Sequence, residues 1–323
     1  MRRLRPSRVA ATVLGLAIAA LVVVVSHPDR IWASLQNVDP MPLLLALVLN
    51  LPIVALRAYR AQVILDHLDH HVSMRSMLPI QLVGQTSSSL TPAASGDYVR
   101  AYLWRQSSQV PLRVGAAVVT FERLYSLFLL VAVSVLLILL PRHGLIGWAA
   151  VVAGLALATF APLLFEMLPP TFERWAMARV ARGRLLGRFA QGAQVMLEQF
   201  RALMRAPVLL AWTSAITIVI FIAGGAQIWL VLDSLGHLVP ITQAVAASTT
   251  SQVAGIISTL PFGIGSQDAI LVTVFAGYGV TVSLAATVAV LLRAVSTLPQ
   301  GLAGLAGYLL VEKPESRPAM EIE

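Results

Sequence analysis

Long apolar runs separated by short polar loops dominate the chain. The hydrocarbon core of a bilayer is about 30 Å thick, so a helix needs roughly 20 apolar residues to cross it. Runs of about this length occupy residues 9–25, 41–56, 114–140, 145–165, 207–232 and 283–310. The pattern therefore predicts an all-α polytopic membrane protein with about six full transmembrane helices.

Two further apolar segments, 78–96 and 241–279, are interrupted by polar and helix-breaking residues. The first turns into serines and threonines before Pro92, and the second is split by a Leu-Pro-Phe-Gly-Ile-Gly sequence at 260–265. Broken backbone at membrane depth persists only where protein or a water-filled cavity surrounds it. We therefore interpret both segments as re-entrant helical hairpins that line an interior site.

The two broken segments resemble each other, and each leads into a span that contains an arginine. The first copy carries Ser89, Pro92, Gly96 and Asp97 before Glu122 and Arg123, and the second carries Pro261, Gly263, Gly265 and Asp268 before Arg293. Pro92 precedes Arg123 by 31 positions, and Pro261 precedes Arg293 by 32. The predicted topology brings the copies in from opposite sides, so we interpret 78–140 and 241–310 as an inverted repeat, which is typical of transporters.

Composition supports a single membrane domain over 1–323. Hydrophobic residues make up 58% of the chain and charged residues only 12%, which excludes an ordinary soluble protein. The longest polar interval, about 166–206, is shorter than the roughly 50 residues of a minimal separate domain. The absence of cysteine excludes disulfides and thiolate chemistry.

The net charge of +8 indicates orientation rather than nucleic-acid binding. A cytoplasmic N-terminus leaves only Arg30 and Arg142 in predicted outside loops, while Arg123 and Arg293 are the two arginines within the predicted spans. We therefore expect a multi-pass protein of the bacterial plasma (inner) membrane with both termini in the cytoplasm and an uncleaved first span. The arginine-rich amphipathic stretch 171–205 is expected to lie on anionic inner-leaflet lipids.

The buried charges are the best candidates for function, because ionisable groups at membrane depth are costly and usually serve a ligand or a pathway. Guanidinium groups offer a planar fork of donors that suits phosphate. Ser126 follows Arg123 by three residues and Ser296 follows Arg293 by three, which adds polar groups to the same helix faces. Asp97, Glu122 and Asp268 can neutralise the arginines when no ligand is bound. Permanent ion pairs between helices and proton or ion coupling are the alternatives.

Other chemistry finds little support in the sequence. No Gly-x-Ser-x-Gly elbow or nucleotide-binding pattern is present, so we predict no catalytic residues and no cofactor. The run from Asp66 to His71 contains histidines one helical turn apart, but no third ligand set accompanies it, so we predict no metal site.

These motifs, in their order and spacing, resemble the flippase-like transmembrane domain of lysylphosphatidylglycerol synthases and its stand-alone relatives. The matching parts are the segment from Pro92 to Arg100, the Glu122-Arg123 pair, the segment from Leu260 to Asp268, and Arg293, and the resemblance covers about residues 40–310. Asp97 and Asp268 stand where the family pattern carries a longer carboxylate. Since the soluble synthase domain is missing, the resemblance implies lipid handling rather than lipid aminoacylation.

The expected function is translocation of an anionic or phosphate-bearing lipid between leaflets, with Arg123 and Arg293 receiving the phosphate. The lipid is a phospholipid, a glycolipid or a polyprenyl-linked lipid. One alternative is a non-catalytic accessory subunit of envelope glycolipid or hopanoid synthesis, partnered with biosynthetic enzymes. The other is an ion-coupled carrier of small solutes.

Overall fold

The computed structural model describes residues 36, 38–139, 144–160 and 198–310, and within these residues every regular element is helical. The α-helices are α1 (Pro40–Val48), α2 (Asn50–His67), α3 (Met74–Leu90), α4 (Val99–Ser108), α5 (Leu112–Leu139), α6 (Gly144–Phe160), α7 (Pro207–Asp233), α8 (Ile241–Ser258), α9 (Ser266–Gly277), α10 (Val282–Leu292) and α11 (Leu298–Leu310). Short 3₁₀ turns cover Pro92–Tyr98 and Pro261–Gly263, and a π-helical turn covers Arg293–Thr297.

Four of these helical stretches are long and apolar enough to cross a membrane. They are α1 with α2 (Pro40–His67), α5, α7, and α10 through α11 (Val282–Leu310), while α6 is a shorter apolar helix. The prediction of an all-helical membrane protein is therefore confirmed. The predicted span 9–25 and residues 171–197 of the basic helix lie outside the described residues. The count of six spans and two re-entrant hairpins stays a prediction.

The first described span is longer than the sequence pattern predicted. The apolar pattern ends at residue 56, where charge begins, but α2 continues to His67. Residues 57–67 contain no glycine or proline, and Ala58, Ala61, Ile64 and Leu65 are buried, so packing carries the helix onward. Arg57 and Arg60 therefore lie within a candidate membrane span. Arg123 and Arg293 are therefore not the only arginines in the candidate spans.

Both predicted breaks occur, and the same order of elements follows each. In the first repeat α3 ends at Leu90, the chain turns through Pro92–Tyr98, and α4 leads into α5. In the second repeat α8 ends at Ser258, the chain turns through Pro261–Gly263, and α9 leads into α10 and α11. The opposite membrane orientation of the two copies stays a prediction.

The repeats pack on each other reciprocally. Helix α3 of the first repeat packs along α11 of the second, and α8 of the second repeat packs along α5 of the first. Small residues permit the α3 contact, since a Cβ atom added at Gly304 would overlap Thr86. In each copy the helix before the break therefore packs on the helix that ends the other copy, and the inverted repeat itself stays a prediction.

Two large apolar clusters and one small one hold the described helices together. The larger one includes Ile64, Met77, Trp104, Phe121 and Leu210, which joins α2, α3, α4, α5 and α7. The second is built from α1 and α7 to α10 around Phe275. Large apolar side chains also cover the outside, for example Leu145 at 86% and Leu309 at 79% exposure. Such an outer surface suits contact with lipid rather than water.

Candidate functional site: two arginine centres at the helix breaks

A buried ion-pair network forms where the first break meets α5. Asp97, Arg100 and Glu122 are only 5%, 3% and 3% exposed. Arg100 Nη2 donates to Asp97 Oδ2 and to Glu122 Oε2, each at 2.8 Å. Arg100 Nη1 donates to Gln81 Oε1, also at 2.8 Å. Asp97 lies in the 3₁₀ turn and Arg100 in the first turn of α4, three residues later. This helical spacing lets the two side chains pair with each other beside α5.

Close backbone approach makes this turn possible. The Gly96 amide donates to Thr91 Oγ1 at 2.6 Å, and a Cβ atom at Gly96 would overlap the carbonyl oxygen of Ser87. The 3₁₀ turn begins at Pro92, whose fixed φ and missing amide suit the first position of a helical turn. Ser89 does not face the arginines, because its hydroxyl donates back to the Gln85 carbonyl at 3.0 Å.

Two further arginines reach the same carboxylates from other helices. Arg60 of α2 donates from Nε to Glu122 Oε1 at 3.1 Å and from Nη1 to Ser126 and Thr217. Arg123 of α5 donates from Nε to Asp97 Oδ2 at 2.8 Å and from Nη2 to Ser88. The predicted partner Ser126 therefore contacts Arg60 rather than Arg123.

Arg57 adds a fourth guanidinium group one helical turn before Arg60. It lies close enough to Arg60, Arg100, Arg123 and Asp97 to interact electrostatically with each of them. No described residue forms an ion pair or hydrogen bond with its side chain. We name Arg57, Arg60, Arg100 and Arg123 with Asp97 and Glu122 the first-repeat cluster. Its four positive and two negative groups leave two positive charges that no other described residue compensates.

The second arginine centre is smaller and self-neutralised. Arg293 donates from Nη2 to both carboxylate oxygens of Asp268 at 2.9 and 3.0 Å, and from Nε to Oδ1 at 3.2 Å. Its Nη1 donates to the Phe262 carbonyl at 2.7 Å and approaches Thr297 Oγ1 at 3.5 Å. All donors of this guanidinium therefore have partners, and the group ties the second break to the long helix.

Unusual backbone surrounds Arg293. Thr259 and Phe262 both adopt a φ of 54°, and Gly263 and Gly265 adopt 60° and 85°, so four residues of this break have a positive φ. The Gly265 amide donates to Asp268 Oδ2 at 2.9 Å, which fixes the carboxylate at the start of α9. Pro261 begins the 3₁₀ turn.

The π-helical turn has a local cause. Pro299 lacks the amide hydrogen that would bond the Val295 carbonyl in a regular α-helix. That carbonyl instead accepts a hydrogen bond from Asn50 Nδ2 at 2.7 Å. The Leu298 amide bonds the Arg293 carbonyl, five residues back, which completes the π turn and sets the direction of the Arg293 side chain.

A cavity of about 560 Å³ adjoins Arg293. It is lined mainly by apolar side chains, with the Asp268–Arg293 ion pair and Thr297 as its polar groups; the lining residues are Phe262, Ile264, Asp268, Ala286, Ala289, Val290, Arg293, Thr297, Leu298, Gly301 and Leu302. The size falls within the range of small-molecule sites. Arg123 does not line this cavity, so within the described residues the two arginines belong to separate centres.

A polar network crosses between the repeats near both centres. Gln85 of α3 donates to Gln300 Oε1 at 2.7 Å, and Gln300 Nε2 lies 3.2 Å from Asn50 Oδ1 and 3.3 Å from Ser296 Oγ. Ser296 therefore contacts Gln300 rather than Arg293. Since Ser88 on the same helix as Gln85 contacts Arg123, the last turns of α3 link the two arginine centres.

Comparison with known proteins identifies the family. The family described as the lysylphosphatidylglycerol synthase TM region matches residues 12–304. The chain belongs to this family. A UPF0104 membrane protein of Methanothermobacter thermautotrophicus is 26% identical over 302 residues, covering 88% of this chain and 89% of the relative. A second UPF0104 membrane protein, from Methanocaldococcus jannaschii, is 19% identical over 320 residues, with the same two shares.

A third relative covers less of the chain. The glycosyltransferase AglD of Haloferax volcanii is 29% identical over 144 residues, which is 44% of this chain and 23% of that protein. The resemblance to the lysylphosphatidylglycerol synthase family predicted from the motifs is thus confirmed, and the match begins earlier than residue 40. All three relatives are archaeal, so a bacterial origin and an inner-membrane location stay predictions.

Sequence reasoning missed part of the centre in this family member. Arg57 and Arg60 were expected among the cytoplasmic arginines, and Arg100 was named only as the end of a family motif, with no place in the site. A usable signal existed, because Arg57 and Arg60 are three residues apart in an uninterrupted helical pattern and therefore share one face. The sequence did not indicate which residues lie against that face of α2; in the structure they come from α4 and α5.

Proposed function

We propose that this protein translocates lipids with anionic, phosphate-bearing headgroups between the leaflets of the membrane, as a transporter rather than an enzyme. The headgroup passes through the polar region between the two repeats while the acyl or prenyl tails stay in the bilayer. Phospholipids, glycolipids and polyprenyl-linked lipids share the chemistry that this region would recognise.

The first-repeat cluster is the observation that carries the proposal. Removing ions from water is costly, and a buried ion-pair network offsets that cost only when its charges are matched. A network that ties helices together would therefore be expected to be neutral. This one keeps two uncompensated guanidinium charges on helices long and apolar enough to cross a membrane, which favours binding of an anion.

The broken helices support the same function. Transporters place substrate sites where helices are interrupted near the bilayer midplane, at the interface of their repeats. Both arginine centres lie at such breaks, and the cavity beside Arg293 has the apolar lining that a lipid chain prefers. The Arg123 side chain is 32% exposed, and its Nη1 has no partner among the described residues. Arg123 is therefore the first group to bind the headgroup. Arg293 becomes the second binding group when its ion pair with Asp268 opens.

The membrane setting of the proposal follows the charge distribution. Both termini lie in the cytoplasm, and the basic stretch 171–205 gathers anionic lipids near the inner leaflet. Tyr98 and Tyr102 are exposed beside the first break, where aromatic side chains commonly contact headgroups.

Leaflet exchange of labelled lipids in proteoliposomes tests the proposal. Wild type is expected to accelerate exchange of phosphate-bearing lipids, and Arg123→Ala is expected to lower the rate at least about tenfold, as for loss of a charge-assisted hydrogen bond. Arg75→Ala is the matched control, because Arg75 is exposed in the first turn of α3 and outside both centres. No acceleration for any lipid in a broad panel would overturn the activity, and equal rates for wild type and Arg123→Ala would overturn the site.

A second candidate function is an accessory membrane subunit of envelope glycolipid synthesis. The similarity to a protein named as a glycosyltransferase favours it. In this case the arginine centres only join helices. Stable co-purification with a membrane glycosyltransferase, together with no lipid exchange by the purified protein, would select this function.

A further inference from the structure

Arg57 is a cation for which no described residue supplies an ion-pair partner. It is half-buried in a candidate membrane span and lies among three other arginines. Within the described residues it has no hydrogen-bond acceptor. Like charges close together in a low-dielectric setting repel strongly, so Arg57 makes the ligand-free cluster less stable. A purely structural arginine would be expected to have a carboxylate partner.

Unpaired donors identify where an anion would sit. Arg123 donates from Nε and Nη2, so its Nη1 has no partner among the residues described. Arg60 donates from Nε and Nη1, so its Nη2 has none either. Arg100 is different, because all its nitrogen atoms lie against Asp97, Glu122 or Gln81. The available donors therefore lie on Arg57, Arg60 and Arg123, around the fixed Arg100 core.

Charge then limits the ligand. The cluster carries two uncompensated positive charges, so a group with two negative charges neutralises it and a group with one leaves it positive. Phosphate monoesters carry two charges above a second pKa of about 6, whereas phosphodiesters carry one. The centre at Arg293 offers a weaker match, because its guanidinium is already paired with Asp268.

We propose that the first-repeat cluster binds the doubly charged phosphate monoester headgroup of a lipid, with Arg57 and Arg123 as its main donors. This rests on the proposed lipid transport and narrows its substrate class. Arg57 sets the preference for two charges over one, since its removal leaves a cluster with a single excess charge.

Binding to the purified full chain at pH 8 tests this inference. Native mass spectrometry would compare phosphatidic acid, a monoester, with phosphatidylglycerol, a diester of the same acyl chains. Wild type is expected to bind phosphatidic acid about tenfold more tightly. Arg57→Gln is expected to lower phosphatidic acid binding at least about tenfold and to bring the ratio of the two affinities close to one. Arg57→Lys keeps the charge and is expected to keep most of the preference.

Controls separate the inference from general effects. Arg75→Gln makes the same change of charge at an exposed position and is expected to leave the ratio unchanged. Arg57→Gln is also expected to leave the ligand-free protein at least as stable as wild type, because it removes repulsion without breaking a bond. A wild-type affinity ratio near one, or an unchanged ratio in Arg57→Gln, would overturn the inference.

Inorganic phosphate distinguishes a lipid headgroup from a free anion. Retention of phosphatidic acid in excess inorganic phosphate assigns the site to a lipid, and complete displacement at equal concentration would overturn that assignment. The outcomes differ from those of the transport test. Exchange of diester lipids without a monoester preference defeats only this inference, and selective binding without exchange of any lipid defeats only the proposed transport.

Discussion

Glu122→Gln is expected to destabilise the protein strongly. The Glu122 carboxylate is 3% exposed and accepts from Arg60 at 3.1 Å and from Arg100 at 2.8 Å. An amide of the same shape keeps one acceptor oxygen, but its NH₂ group then faces a guanidinium donor. One charge-assisted hydrogen bond is therefore lost and a donor–donor contact replaces it.

The magnitude follows from the two bonds. A hydrogen bond to a charged group contributes about 1.5–3 kcal/mol, and breaking a buried ion pair by removing one partner costs about 3–5 kcal/mol. The substitution also raises the uncompensated charge of the first-repeat cluster from two to three. We therefore expect the free energy of unfolding to fall by about 3–5 kcal/mol.

Unfolding by sodium dodecyl sulfate in mixed micelles would measure this change. Glu198→Gln is the matched control, because Glu198 is exposed, and it is expected to stay within about 0.5 kcal/mol of wild type. Adding Arg57→Gln to Glu122→Gln restores an excess of two charges and is expected to recover part of the stability. A loss below about 1 kcal/mol in the single variant, or no recovery in the double variant, would refute the electrostatic reasoning.

Two further predictions concern the contact between repeats and the second centre. Gly304→Ala is expected to cost about 1–3 kcal/mol because the new methyl group overlaps α3, while Gly301→Ala, which meets nothing within 4 Å, is expected to have no such cost; thermal unfolding in detergent compares them. Asp268→Asn removes the charge that holds Arg293 and is expected to increase protease cleavage within the second break, with Asp69→Asn, at an exposed loop position, as its control. Equal cleavage in the two variants would show that the ion pair does not fix this break.

Much of the helix arrangement could be predicted from the apolar pattern. The spans predicted at 114–140, 207–232 and 283–310 agree with the observed helices to within about two residues at each described end. The breaks near Pro92 and Pro261 were also predicted, because proline, glycine and serine interrupt the backbone hydrogen-bond pattern locally. The first described span was predicted too short, since packing rather than composition extends α2 to His67.

The residues of the two arginine centres could be predicted only in part. The charges at Asp97, Glu122, Arg123, Asp268 and Arg293 stood out because each interrupts or precedes an apolar run. The pairing of Asp268 with Arg293 is a contact within one repeat. The wider first-repeat cluster includes Arg57 and Arg60 from α2, which precedes that repeat, so no spacing in the sequence could assign them to it.

The sequence by itself determined that the chain belongs in a membrane, where its helices break, and which charges lie within apolar runs. These features follow from local transfer free energies and backbone geometry, which depend on neighbouring residues only. Tertiary structure alone decided which charges meet. An ion pair depends on a few ångströms of separation between side chains, and residues as far apart as Arg60 and Glu122 reach that distance only when separate helices pack together.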